Sequence, residues 1–130
     1  HRLALSLGLP DCAFLILYLL RMSDRLYTQS EICELMCLSR QTVNSALKTL
    51  AAAGHLEFFH SDGNKKNKLL KLTERGISFC ETSVDRVIGL EINALSEFTP
   101  DELELLLRLN RKFAICLRAE AEKLISPDSR

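Results

Sequence analysis

The sequence is poorest in the features that mark an enzyme, a metalloprotein or a secreted protein. It has no glycine-rich phosphate loop and no nucleophile elbow, and its three histidines are scattered rather than gathered with carboxylates. Catalysis is therefore not expected. No CxxC pair and no zinc-spaced Cys/His set occurs, so no metal and no cofactor is expected either. The five cysteines, Cys12, Cys33, Cys37, Cys80 and Cys116, are an odd number, and four lie within apolar helix faces. That pattern fits reduced, buried thiols in a cytoplasmic protein better than a disulfide framework. The longest apolar run, residues 12–20, is too short to cross a bilayer. Residues 1–10 lack the basic start and small-residue cleavage site of a signal peptide. No internal repeat and no low-complexity stretch is present.

What the chain does have is the composition of a folded domain, 47% hydrophobic and 26% charged over 130 residues. Its formal net charge of zero hides a polarity. Between residues 40 and 75 the bases Arg40, Lys48, Lys65, Lys66, Lys68, Lys71 and Arg75 face only Glu57, Asp62 and Glu74, whereas from Glu81 onward acids outnumber bases. A phosphate backbone responds to charge within a Debye length of about 8–10 Å, so the basic segment matters more than the mean.

Periodicity and capping residues divide the chain. Residues 1–7 read as the tail of a helix ending at Gly8. Pro10 suits the first turn of the next helix, with Asp11 beside it at the positive end of the dipole, and the apolar run to about Met22 predicts a buried strut. Leu26 and Tyr27 suit a short strand. Thr28-Gln29-Ser30-Glu31 is a capping box opening a helix to Met36. After a tight turn at Cys37 and Leu38, Ser39 caps a second helix that ends at Gly54, the short interval a helix-turn-helix requires. In that helix Val43, Ala46, Leu47 and Leu50 form the apolar stripe, and the opposite face carries Arg40, Gln41, Asn44, Ser45 and Lys48 with no acid. Residues 56–60 and 68–72 read as a hairpin around a turn at residues 61–64. Thr73 caps a long helix reaching about Glu97. Thr99 and Pro100 open a last, leucine-rich helix to about Ile125.

Four segments then make a specific pattern: Thr28-Gln29-Ser30-Glu31-Ile32, Leu38-Ser39-Arg40-Gln41-Thr42-Val43-Asn44, residues 50–54, and Lys71-Leu72-Thr73-Glu74-Arg75-Gly76. In their order and spacing they resemble the MarR family of transcriptional regulators, over residues 9–125. The resemblance implies a mainly α fold with a small β-hairpin wing, a winged helix-turn-helix carrying long C-terminal dimerisation helices. Residues 1–25 would be the residual first helix and strut, 26–75 the DNA-binding lobe, and 76–130 the dimerisation helices. Two departures stand out. Asn64, Lys65 and Lys66 occupy the wing tip, where the family has an acid followed by arginines, and lysine lacks arginine's planar fork. The family's first helix is almost absent.

The function so implied is a homodimer that binds a pseudo-palindromic operator in double-stranded DNA, a repressor relieved by a small-molecule effector, with no membrane partner. Arg40, Gln41, Asn44 and Ser45 have donors that reach base edges. Thr28, Gln29, Ser39, Thr42 and Lys48 suit phosphate contact, and Asn64, Lys65, Lys66 and Lys68 suit the wing. Two other readings are set beside it. Cys12, at a helix N-terminus where a thiol pKa is lowered, would make the protein a redox sensor. A winged helix can also bind another protein and never DNA.

Overall fold

The computed structural model describes residues 2–60 and 68–125. The wing-tip residues Asn64, Lys65 and Lys66, and the turn expected at 61–64, lie outside them. Among the described residues ten elements follow in order: α1 Arg2–Ser6, α2 Asp11–Met22, β1 Tyr27–Thr28, α3 Gln29–Met36, α4 Arg40–Ala52, β2 Leu56–His60, β3 Lys68–Leu72, α5 Glu74–Thr82, α6 Val84–Leu95 and α7 Pro100–Ile125. The mainly helical chain with a small antiparallel sheet is the expected winged-helix architecture. The chain forms two compact units, residues 1–88 and 89–130.

In the first unit the core is built from one face of each element. Ile16 and Leu17 of α2, Ile32 of α3, Val43, Leu47 and Leu50 of α4, Leu70 of β3, Cys80 of α5 and Val84 of α6 are all fully buried. At about 1.5–3 kcal/mol for each large apolar side chain removed from water, this shared core fixes α4 more firmly than any surface contact can. The sheet order is β1-β3-β2, with Tyr27 opposite Leu70 and Leu56 opposite Leu72. Along β3 Leu70 is buried, Lys71 points to the opposite, exposed face, and Lys68 is exposed at the strand's start.

Several expectations need correction. Pro10 is the cap before α2 rather than its first residue, and α2 is amphipathic: Ala13, Ile16 and Leu17 are buried while Leu15 and Met22 are exposed. The short strand starts at Tyr27, not Leu26, which is exposed. The long helix expected after Thr73 breaks at Ser83 (φ −129°, ψ −71°) into α5 and α6. There Ser83 Oγ donates to the Phe79 carbonyl, and Thr82 Oγ1 donates to the carbonyls of Ser78 and Phe79. Hydroxyls bonding back to the preceding turn compete with the backbone ladder and bend helices. Arg21 Nε and Nη2 then meet the Asp85 carboxylate at 2.9 and 2.6 Å, tying the end of α2 to the first turn of α6. This pairing raises the Arg21 pKa and lowers that of Asp85.

The second unit is helix with almost no burial of its own. Thr99 caps α7 by a reciprocal box with Glu102, whose carboxylate accepts from the Thr99 backbone N–H at 2.8 Å and is held below its usual pKa mainly by that bond. Every described residue of α7 is exposed except Leu103, which is half-buried. Leu105, Leu106, Leu107, Leu109, Phe113, Ile115 and Leu117 are among those exposed.

Candidate nucleic-acid interface

The helix-turn-helix is held by local chemistry at both ends of its turn. Thr28 and Glu31 form the capping box at the start of α3: Glu31 N donates to Thr28 Oγ1, while Glu31 Oε2 accepts from Thr28 N at 2.7 Å. Arg25 adds an ion pair to Glu31 at 2.8 Å and stacks over the Tyr27 ring. Glu31 is pulled down to about 2, first by the Thr28 backbone N–H, then by Arg25 and the Thr28 hydroxyl. At the far end of α3, Cys37 takes a left-handed conformation, φ 51°, and Leu38 N donates to the Cys33 carbonyl at 3.1 Å, which turns the chain sharply. Ser39 then caps α4, its Oγ accepting from Thr42 N at 3.1 Å.

The apolar stripe of α4 is buried as the spacing requires: Val43, Ala46, Leu47 and Leu50 are each 3% exposed or less. Burial of that stripe fixes the rotation of the helix, so Arg40, Gln41, Asn44, Ser45 and Lys48 share the exposed side, with Ser39 and Thr42 exposed at its N-terminal end. No acidic residue lies on α4. Lys68 is exposed at the start of β3, opposite His60. Thr28 and Gln29 are half-buried, and the Thr28 hydroxyl is already engaged by Glu31. Thr49, not singled out from the sequence, is also exposed on α4, but its hydroxyl donates to the Ser45 carbonyl at 3.1 Å.

The cysteine expectations fare differently. Cys80 is buried, Cys12 and Cys33 are half-buried, and Cys37 and Cys116 are exposed, so the thiols are not uniformly core residues. Cys12 lines an open groove of about 340 Å³ with Pro10, Gln41, Thr42, Ser45 and Ala46. Its pKa is raised, not lowered, by burial first and by nearby Cys33 second. Desolvation disfavours the thiolate, so the shift runs opposite to the lowering expected of a thiol at a helix N-terminus.

Comparison with known proteins gives the surroundings of this geometry. A model described as the MarR family matches residues 7–66. The fold is similar to that of the MarR family regulator NMB1585 from Neisseria meningitidis, with TM-score 0.69 and 24% identity over 91% of this chain and 83% of that one. It is also similar to apo wild-type MarR from E. coli, with TM-score 0.61 and 23% identity over 86% and 83% of the two chains. A mutant MepR from S. aureus bound to an oligodeoxyribonucleotide matches with TM-score 0.59 and 20% identity, over 89% and 85%. Among curated proteins none matches the sequence.

Proposed function

We propose that this protein is a dimeric, sequence-specific DNA-binding transcriptional regulator, a reading supported by the match of residues 7–66 to a MarR-family model and by the winged-helix fold the chain shares with solved regulators. Two of the similar structures are described as regulators, and a third, a MepR mutant, is bound to an oligodeoxyribonucleotide. One observation carries the reading for this chain: an acid-free polar face on α4, aimed outward by a fully buried stripe behind it.

In this reading α4 enters the major groove, where Arg40 and Asn44, one helical turn apart, address base edges together with Gln41 and Ser45. Ser39, Thr42, Gln29 and Lys48 contact phosphates, Thr28 supporting them as a cap. Asn64, Lys65, Lys66 and Lys68 act at the flanking groove. A second copy completes the reader by pairing through α1, α6 and α7. The complex is cytoplasmic, blocks transcription from a pseudo-palindromic operator, and is released by a small-molecule effector.

Selection of bound sequences from a random duplex pool, followed by titration against salt, tests this directly. Affinity for random DNA should fall linearly in log–log form with salt, because each lysine or arginine on a phosphate releases counterions. Arg40→Ala or Asn44→Ala should cost about 1–3 kcal/mol on the selected site and relax preference at one position. Lys65→Ala or Lys66→Ala should weaken selected and random duplexes alike and reduce the salt slope by about one. A protein-docking winged helix would show no salt-dependent DNA binding at all.

A further inference from the structure

Just past the C-terminal end of α4, the chain is tied to α5 through one unusual residue. His55 follows Gly54, which has φ +72°, and its ring lies 4.4 Å from that of Phe79 on α5. The backbone joins the same two elements: His55 N donates to the Leu50 carbonyl at 2.9 Å, Thr73 N donates to the His55 carbonyl at 3.1 Å, and Thr73 Oγ1 donates to the Gly54 carbonyl at 2.6 Å. His55 is 8% exposed, and its Nδ1 is buried with no hydrogen-bond partner among the described residues.

We propose that His55 is a pH-responsive positioning residue: neutral, its ring seats the end of α4 on α5 and steadies the DNA-binding face; protonated, it leaves that seat and DNA affinity falls. This rests on the DNA-binding reading of α4. The chemistry is that of an unsatisfied buried group. Neutral imidazole carries its hydrogen on Nε2 and leaves Nδ1 as a bare acceptor, a modest cost. Protonation turns Nδ1 into a charged donor with nothing to accept from it, and a buried unsatisfied charged group costs far more than a neutral one. The charge that faces the ring is the Arg75 guanidinium on α5, which repels an imidazolium. The other groups against His55, namely Leu50 and Gly54 at the end of α4 and Thr73, Gly76 and Phe79 on the α5 side, carry no charge. Burial first and Arg75 second hold His55 below the ordinary 6.5. A His with a lowered folded pKa contributes stability that is complete above its unfolded pKa and is lost as pH falls through the folded value.

The sign makes the effect diagnostic. Acid normally tightens DNA binding, since protonation adds positive charge. A loss of affinity on acidification therefore requires a group that binds protons better when the interface is loosened.

The experiment is fluorescence anisotropy of the full chain with a labelled random-sequence duplex, from about pH 7.5 to about pH 5.5. The parent should lose affinity several-fold. His55→Leu should bind within about twofold of the parent at the upper pH, and its affinity should hold or rise in acid. A parent that does not weaken in acid, or a His55→Leu variant that weakens as the parent does, overturns the proposal. Should His55→Leu not fold, an NMR titration of the parent replaces it. The imidazole should titrate below the ordinary histidine value, with the Gly54, Thr73 and Gly76 amide resonances moving on the same curve; an ordinary midpoint or unmoved amides overturns the proposal. A parent that binds no duplex at the upper pH counts against the DNA-binding reading alone, and the NMR titration then decides on His55.

Discussion

Cys37 carries the sharpest local conflict in the chain. An L-residue in the left-handed region costs about 1–2 kcal/mol, because its Cβ crowds the following carbonyl. Cys37 sits there at φ 51°; the turn it makes is recompensed by backbone bonds to the Cys33 and Glu34 carbonyls, which glycine would keep, and its side chain adds a weak Sγ contact to the Glu34 carbonyl at 3.7 Å. Glycine at this position would remove the crowding while adding about 0.4–1 kcal/mol of unfolded-state entropy, so the balance favours the substitution. Cys37→Gly should stabilise the protein by about 0.5–1 kcal/mol, seen as a higher urea midpoint at unchanged slope, and Cys37→Val should lower it. The same scale holds a pH prediction. Glu31, held at about 2, contributes stability that is present above its ordinary 4.5 and is lost as pH falls toward about 2. Because 38% of its side chain meets solvent, the contribution is a fraction of what the shift alone suggests. Glu31→Gln should melt modestly below the parent near neutrality, since glutamine keeps the capping box but loses the charge, and should converge with it through a flatter decline in Tm below pH 4.5. Thr28 and Glu31 were legible in the sequence because their spacing is itself the mechanism of the cap. Cys37 was not, because cysteine has no preference for positive φ.

Where elements meet, the decisive groups are backbone atoms, and those leave little trace in a sequence. The stripe of α4 could be read from Val43, Ala46, Leu47 and Leu50 because helical period and burial are one signal. The junction that seats the end of α4 could not, since it depends on how closely α5 approaches the His55 carbonyl. Gly76 lies in the first turn of α5, and a Cβ built there would fall inside contact distance of the His55 carbonyl oxygen and carbon. Both are backbone atoms, so no rotamer change relieves the overlap. Gly76→Ala, which in an exposed helix would stabilise, should here destabilise by at least the roughly 1–3 kcal/mol of an overpacked core. Gly89→Ala on α6 meets nothing within 4 Å and should behave as helix propensity dictates, gaining up to about 1 kcal/mol. Opposite signs for two helical glycines in one thermal-melt series would check the junction itself. The break at Ser83 was hidden for a related reason: Thr82 and Ser83 fit a helical pattern, and only their bonds to the Ser78 and Phe79 carbonyls turn them into a bend.

For the molecule as a whole the question is what covers α7. A helix of 26 residues with Leu105, Leu106, Leu107, Leu109, Phe113, Ile115 and Leu117 exposed leaves far more apolar surface in water than a lone chain tolerates. The excess of leucine made this legible from the sequence, whereas the identity of the covering surface is set by symmetry and not by any one residue. A second copy is the economical cover, because a two-fold axis lets each apolar face bury its own equivalent. Light scattering at micromolar concentration should then give twice 14.7 kDa, and a well-folded monomer would remove the dimer from the proposal. Dimerisation also has a consequence for DNA. In the proposed dimer, two α4 helices linked through α7 would meet half-sites spaced by about one helical turn, roughly 34 Å, so the second contact would become intramolecular. Such linkage raises affinity by about 10²–10⁴ without adding a contact, and it vanishes when geometry prevents both from engaging. Leu109→Glu combined with Phe113→Glu places charges in the exposed apolar face of α7 and leaves the core of residues 1–88 untouched. The variant should elute as monomer, keep the unfolding transition of the first unit, and lose affinity for the two-half-site operator down to the level of a single half-site. The parent should suffer the same loss when about five base pairs, half a turn, separate the half-sites further, whereas the monomer should be indifferent to that insertion. A monomer still sensitive to half-site spacing would mean that the two lobes are joined through something other than α7.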